Sequence, residues 1–161
     1  MDFESLVDSF ENTNSELKRA EHSIYVSLKY TRTQDILETI IERLCNTLSN
    51  LIDFLIMLKR EEPFPKSKRI EIFLQLYEKN FAETIVRYYN LLKIVKKSKK
   101  IIVNQYRRHM KMVVEIEPLV FYIVDIDSVI ENYKMIKSFV DEAHKMFIEV
   151  YSKMTQKESF D

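Results

Sequence analysis

The sequence predicts an all-α fold, an antiparallel bundle of four to five helices, and three observations predict it. None of the 161 residues is glycine, although average usage of about 7% would give roughly 11. Glycine supplies the positive φ angles of tight hairpins, so folds rich in β-sheet are disfavoured. Apolar residues make up 46% of the chain, and most of them recur at helical spacing. The length fits a single domain, residues 1–161.

The first predicted helix covers residues 3–30, where apolar residues recur about every 3.5 positions. Four poor helix formers at 12–15 mark a weak point, so the segment is either one helix or two helical pieces. Thr31-Arg32-Thr33 predicts a break. The same three residues precede a helix N-terminus, where backbone N–H groups attract anions, so they form a speculative anion site.

The second predicted helix begins at Thr33 or Asp35, with Glu38 completing a capping box. Its apolar stripe from Ile36 to Leu58 is wide, which is typical of a central bundle helix, and it runs to about Arg60. The segment 61–65 contains two prolines and predicts a loop.

A shorter helix is predicted over about 66–79, and a fourth from Phe81 to about Lys111. The segments 112–116 and 119–124 are rich in β-branched and aromatic residues and flank Glu117-Pro118. They predict either a small β-hairpin near residues 112–124 or one irregular extended segment.

The last predicted helix is capped by Asp127 or Ser128 and runs to about Lys153. The tail from Thr155 to Asp161 is expected to be loose.

The composition excludes several classes of function. Without glycine the chain has no dinucleotide fingerprint, Walker loop or kinase glycine-rich loop, so no nucleotide cofactor, or any other cofactor, is expected. No apolar run is long enough to predict a transmembrane helix, and the acidic start does not resemble a signal peptide. The single cysteine, Cys45, cannot form an internal disulfide, which predicts a cytoplasmic protein.

Charge is segregated along the chain, although Lys+Arg and Asp+Glu both number 25. Residues 1–62 carry a net charge of −5, residues 84–114 carry +9 with no acidic residue, and residues 115–161 carry −5. On a helical wheel seven of these nine basic residues share an arc of about 120° that extends about 27 Å between residues 93 and 111. Ile102, Val103 and Met110 fall on the opposite, apolar arc. The basic arc and its neighbours comprise Lys93, Lys96, Lys97, Lys100, Asn104, Arg107, Arg108 and Lys111.

This basic helix face has two interpretations. Acidic helices of the same bundle or of an oligomer compensate it, or it binds an anionic partner such as RNA or an acidic protein surface. The residues that would bind the partner are Lys93, Lys97, Lys100, Asn104, Arg108 and Lys111. Tyr89 lies on the basic arc and could stack on a base, whereas Tyr88 and Tyr106 lie on the apolar arc and are expected in the core.

Few residues offer catalytic chemistry. Arg107 and Arg108 precede His109, and an arginine–histidine pair can cleave RNA without a metal, so these three are speculative catalytic residues. His22 is expected on the surface or at an interface, and Cys45 in the core or at an interface. His144 follows Asp141 by three positions, but the Glu-x-x-His pairs of a di-iron bundle are missing, so no metal site is expected.

Two stretches, His22 to Thr33 and Tyr106 to Lys111, resemble small uncharacterised archaeal helical proteins and, more loosely, HEPN-type bundles. That family includes RNA-cleaving toxins and helical partners of nucleotidyltransferases. Its active ribonucleases carry an arginine four to six residues before the histidine. Here Arg107 and Arg108 adjoin His109, and Arg19 is three before His22. The resemblance therefore implies the bundle and dimerisation, and the departure counts against ribonuclease activity.

The leading functional expectation is a non-catalytic helical interaction module that self-associates or binds a helical protein partner. RNA binding through the basic helix face is the first alternative, and a HEPN-like, metal-independent ribonuclease is the second.

Overall fold

A computed structural model of the chain describes residues 2–30, 34–104 and 110–160, with side chains described up to residue 158. Helices dominate, as the sequence predicts, and a small sheet joins them. The elements in chain order are α1 (Phe3–His22), a π-helical segment (Ser23–Ser27), α2 (Leu28–Tyr30), α3 (Gln34–Lys59), a 3-10 turn (Lys66–Lys68), α4 (Arg69–Leu76), α5 (Lys79–Lys97), β1 (Lys100–Asn104), β2 (Lys111–Glu117), β3 (Val120–Asp125) and α6 (Ile126–Phe160).

Helix α3 is the centre of the bundle, which confirms the prediction from its wide apolar stripe. Half of its 26 residues are buried, among them Leu37, Leu44 and Phe54. It contacts α1, α4, α5 and α6. Because apolar residues cover more than one side of α3, several helices pack on it at once and form one continuous core.

Helix α1 continues through the weak point predicted at 12–15, so of the two alternatives the structure shows the uninterrupted helix. Thr13 is fully buried, and its hydroxyl donates a hydrogen bond of 3.0 Å to the Ser9 carbonyl. Packing against α3 therefore outweighs the poor helix propensity of these residues. The chain stays helical through the π-helical segment and α2 to Tyr30.

The fourth predicted helix ends fourteen residues earlier than expected, at Lys97 instead of Lys111. Ser98 adopts extended angles (φ −82°, ψ 154°), and both its N–H (2.9 Å) and its hydroxyl (2.7 Å) donate to the Ile94 carbonyl. The β-branched run Ile101-Ile102-Val103 then forms β1. The continuous basic helix face of residues 93–111 therefore does not exist.

The three strands form one antiparallel sheet in the order β1-β2-β3. The hairpin of β2 and β3 confirms the predicted hairpin, whereas β1 is an addition that the sequence reading missed. Leu119 in the hairpin turn has φ 66°, a left-handed conformation that costs a residue other than glycine about 1–2 kcal/mol. Its N–H donates to the Glu115 carboxylate at 3.2 Å, which helps to hold the turn.

The last helix differs from the prediction at both ends. Its N-terminal cap is Asp125, whose carboxylate accepts from the Ser128 N–H (2.8 Å), while the Ser128 hydroxyl accepts from the Asp125 N–H (2.9 Å). The predicted caps Asp127 and Ser128 therefore lie inside the first turn, with Ser128 as the reciprocal partner. The helix continues to Phe160, so the tail expected to be loose is helical through that residue.

Helix α5 begins with a side-chain cap that the sequence reading did not identify. The Glu78 carboxylate accepts from the N–H groups of Asn80 (3.0 Å) and Phe81 (2.9 Å), and these bonds lower the pKa of Glu78. None of the helices in the described part of the chain is both long and apolar enough to cross a membrane.

Candidate interaction surface

The residues of the predicted basic helix face are distributed over three elements. Lys93 and Lys97 lie on α5, Lys100 and Asn104 on β1, and Lys111 on β2. Arg108 lies outside the described residues. Because strands and helices orient side chains differently, these residues do not share one helical face.

Two lysines of this region are compensated by the acidic side of α3. Lys96 Nζ lies 3.8 Å from Glu42 Oε1, and Lys100 Nζ lies 3.9 Å from Glu38 Oε1. The Lys100 ammonium also donates to the Lys96 carbonyl at 2.9 Å. These pairs are long and partly exposed, so each stabilises the fold weakly. They nevertheless support the interpretation that acidic residues of the same chain compensate the charges of Lys96 and Lys100.

Tyr89 is not placed to stack on a base, which corrects the expectation for this ring. It is 8% exposed, and its hydroxyl accepts a 2.7 Å hydrogen bond from Arg69 Nη2. The guanidinium of Arg69 and the ammonium of Lys93 lie 5.3 and 5.1 Å from the ring centre. Both cations therefore lie over the Tyr89 ring, where a nucleic-acid base would have to stack. Tyr88, as expected, packs inward, at 5.8 Å from the Phe139 ring.

Several predicted site residues lie outside the described part of the chain. They are Arg107, Arg108 and His109, together with Thr31, Arg32 and Thr33 and the core candidate Tyr106. The hypotheses of a ribonuclease centre and of an anion site therefore stay predictions.

The remaining candidates have ordinary structural surroundings. The exposed His144 ring stacks on Phe10 at 5.2 Å, while Asp141 pairs with Lys137 at 3.0 Å. Cys45 is buried, and its burial raises the pKa of the thiol, which disfavours the reactive thiolate. Within residues 2–30, 34–104 and 110–160, no group of three or more potential ligands could hold a metal ion.

The sheet presents a different kind of surface. Its inner side carries Met112, Val114 and Val124, which are fully buried. Strand alternation places the intervening residues on the opposite side. There Ile101 is 57% exposed, Val103 61%, Phe121 53% and Ile123 46%. We call this side, made of Ile101, Val103, Lys111, Val113, Glu115, Phe121, Ile123 and Asp125, the outer sheet face; Val103 lies at the register shift between Ile102 and Asn104.

The outer sheet face is apolar at its centre and charged at both ends of β2. Ile101, Val113 and Ile123 are register partners and form a row across the three strands. Lys111 and Glu115 lie two positions to either side of Val113 on the same strand, and Asp125 is the register partner of Lys111 on β3. Such a contiguous apolar patch with a polar rim is typical of a protein contact surface.

This surface was not predictable from helical periodicity. Placed on a helical wheel, Ile102 and Val103 fall on the apolar arc and are expected in the core, but they are 37% and 61% exposed. The signal that indicated a strand was local. Three consecutive β-branched residues follow a serine that ends the helix.

Comparisons with protein-family models, with curated proteins and with solved structures found no match for this chain.

Proposed function

We propose that this chain is a non-catalytic interaction module that self-associates through the outer sheet face. The single observation that carries the proposal is the exposure of Ile101, Val103, Phe121 and Ile123 side by side on one three-stranded sheet. Each apolar Å² removed from water contributes about 25 cal/mol, so covering this face is favourable.

The position of the face supports this use. Strand β1 is an edge strand with three consecutive apolar residues, two of them more than half exposed. Natural edge strands usually carry charges or prolines that prevent pairing with other chains. In β1 such protection is limited to Lys100 at its start and to the register shift between Ile102 and Asn104, so the exposed Ile101 and Val103 favour a partner that covers the face.

Replacing Ile123 by lysine is expected to weaken self-association about tenfold or more, because burying an unpaired ammonium costs several kcal/mol. Sedimentation velocity over a range of concentrations measures the effect. The wild type should exceed the monomer mass of 19.4 kDa as concentration rises, while the variant should stay near it.

Ile148→Lys is the matched control, since Ile148 is also an exposed isoleucine (50%) but lies on α6 away from the sheet. It should self-associate as the wild type does. A wild type that stays monomeric at millimolar concentration, or equal effects of the two substitutions, would refute the proposal.

The alternatives of RNA binding and RNA cleavage stay predictions. The ribonuclease rests on residues outside the described part of the chain. The predicted RNA interface required one continuous helix over residues 93–111, whereas α5 ends at Lys97.

A further inference from the structure

We propose that the cavity between α5, α6 and β3 binds a free amino acid with an aromatic side chain. The cavity measures about 400 Å³, at the lower end of the range of ligand sites in proteins. Tyr122 enters its lining from the inner side of β3, two positions before the fully buried Val124. The cavity therefore lies on the opposite side of the sheet from the outer sheet face, and it is independent of the proposed function.

Two helices supply the walls of the cavity. The residues that line it there are Arg87, Tyr88 and Leu91 on α5 and Ser128, Glu131 and Asn132 on α6. Spacings of three and four positions bring side chains to one face of a helix, so each helix turns a single face to the cavity. These faces and Tyr122 combine buried polar groups, aromatic and aliphatic surface and exposed charges.

The deep end of the cavity carries hydrogen-bonding groups. Asn132 is 6% exposed, and its Nδ2 donates to the Tyr122 hydroxyl at 2.7 Å. That bond uses one of the four hydrogen-bonding positions of the amide, and the Tyr122 hydroxyl keeps its own proton to donate. Burial raises the pKa of Tyr122, so the phenol stays a neutral donor. The Ser128 hydroxyl, in contrast, is engaged in the cap of α6.

The middle of the cavity is apolar and suits a ring. Tyr88, Leu91 and Tyr122 are half-buried there. The Tyr88 ring is held edge-on against Phe139, with the ring centres 5.8 Å apart, and the Tyr122 hydroxyl is held by Asn132. Aromatic rings that are already fixed favour an aromatic ligand, because little further ordering is needed for the rings to pack together.

The entrance carries one charge of each sign. Arg87 on α5 and Glu131 on α6 are both exposed. A guanidinium binds a carboxylate through two hydrogen bonds, and a carboxylate accepts from an ammonium. A ligand with a single charge matches only one of these two residues, whereas the zwitterionic head group of an amino acid matches both.

Other charges near the cavity leave this match intact. Asp125 lies near Tyr122, but its carboxylate accepts from the Ser128 N–H at 2.8 Å. Glu83 and Lys134 lie about one turn from the charged residues of the entrance. Both are exposed and outside the lining, so water screens them.

Three ligands that share one phenyl ring test the proposal. They are L-phenylalanine, 3-phenylpropionate, which lacks the ammonium, and 2-phenylethylamine, which lacks the carboxylate. About 12 non-hydrogen atoms in a matched site give L-phenylalanine a dissociation constant of about 2 mM or tighter. Each analogue should bind about tenfold more weakly. Methyl NMR at constant protein concentration should show saturable shifts at Leu91 and constant signals at Leu48, which is 0% exposed on α3.

Two variants of the entrance assign each charge to its ligand group. Arg87→Gln and Glu131→Gln should each weaken the binding of L-phenylalanine about tenfold. Arg87→Gln should then bind L-phenylalanine and 2-phenylethylamine equally, and Glu131→Gln should bind L-phenylalanine and 3-phenylpropionate equally. The matched controls Arg19→Gln and Glu149→Gln change exposed residues outside the cavity and should bind as the wild type does.

A third variant tests the deep end. L-Tyrosine should bind about threefold more tightly than L-phenylalanine, because its hydroxyl reaches Asn132 and Tyr122. Tyr122→Phe should remove this advantage. Thermal unfolding is measured for every variant, since Tyr122→Phe also deprives the Asn132 amide of its acceptor.

Saturable shifts at Leu91 that follow this pattern of ligands and variants support the proposal. It is overturned if L-phenylalanine causes no shift at Leu91 at about twenty times the expected dissociation constant. It is also overturned if either analogue binds as tightly as L-phenylalanine, or if the folded variants of Arg87 and Glu131 bind as tightly as their controls. None of these outcomes alters the case for self-association.

Discussion

Replacing Phe54 by alanine is expected to lower the free energy of unfolding by about 3–5 kcal/mol, the usual cost of deleting a buried phenyl ring. Phe54 is 0% exposed on α3. Its ring lies 5.3 Å from that of Phe10 on α1 and 5.5 Å from that of Phe147 on α6. The substitution leaves a cavity where three helices meet. Urea denaturation at low protein concentration, where association is negligible, measures the loss.

Phe121→Ala is the matched control, because it removes the same ring from the exposed outer sheet face, where Phe121 is 53% exposed. It should cost about 1 kcal/mol or less. If the two substitutions cost the same, the placement of Phe54 at the centre of the bundle is wrong.

Replacing Arg69 by alanine is expected to destabilise the fold by about 2–3 kcal/mol. Its Nη1 donates to Asp53 Oδ1 (2.7 Å) and to the Ser49 carbonyl (3.1 Å). Its Nη2 donates to the Ser49 hydroxyl (2.9 Å) and to the Tyr89 hydroxyl (2.7 Å). One guanidinium thus joins α3, α4 and α5. This loss is smaller than that from breaking a fully buried ion pair, because the Asp53 side chain is 39% exposed.

Arg69→Lys should recover only part of the loss, since a single ammonium cannot reproduce the planar fork that reaches four acceptors. Arg87→Ala, at an exposed arginine of α5, should change the stability by no more than about 0.5 kcal/mol. Equal stabilities of the Arg69→Ala variant and the wild type would contradict the role assigned to this hub.

The helices were predictable because burial follows a period that the sequence displays over many turns. The stripe of α3 from Ile36 to Leu58 admits only a central helix, and Leu48, Leu51 and Leu55 on it are fully buried. The cap at Asp125 was displaced by two residues from the prediction, because several polar residues there are equally good caps.

The boundary of α5 was not predictable from periodicity. Lysines at 93, 96, 97 and 100 and apolar residues at 95, 102 and 103 fit a helical wheel as well as they fit a helix followed by a strand. The helix ends at Ser98, because the N–H and the hydroxyl of Ser98 both donate hydrogen bonds to the Ile94 carbonyl. A helix boundary set by the hydrogen bonds of one serine is not visible in the spacing of charged and apolar residues.

The candidate site was predictable only in part. The expectation that acidic helices compensate basic residues holds for Lys96 and Lys100, since α3 supplies Glu42 and Glu38. The outer sheet face was not anticipated, because a strand that exposes isoleucine and valine looks like a core element in the sequence. Its exposure depends on which side of the sheet the helices α5 and α6 cover, which is a tertiary property.

The most direct test of the central claim is the concentration dependence of isoleucine methyl resonances in NMR spectra. A dilution series from about 1 mM to about 20 µM covers the weak association expected of a face smaller than a standard stable interface. We expect the methyl signals of Ile101 and Ile123 on the outer sheet face to shift, and those of Ile52 and Ile56, which are 0% exposed on α3, to stay constant. Constant signals for Ile101 and Ile123, or shifts confined to Ile148 on α6, would contradict the account.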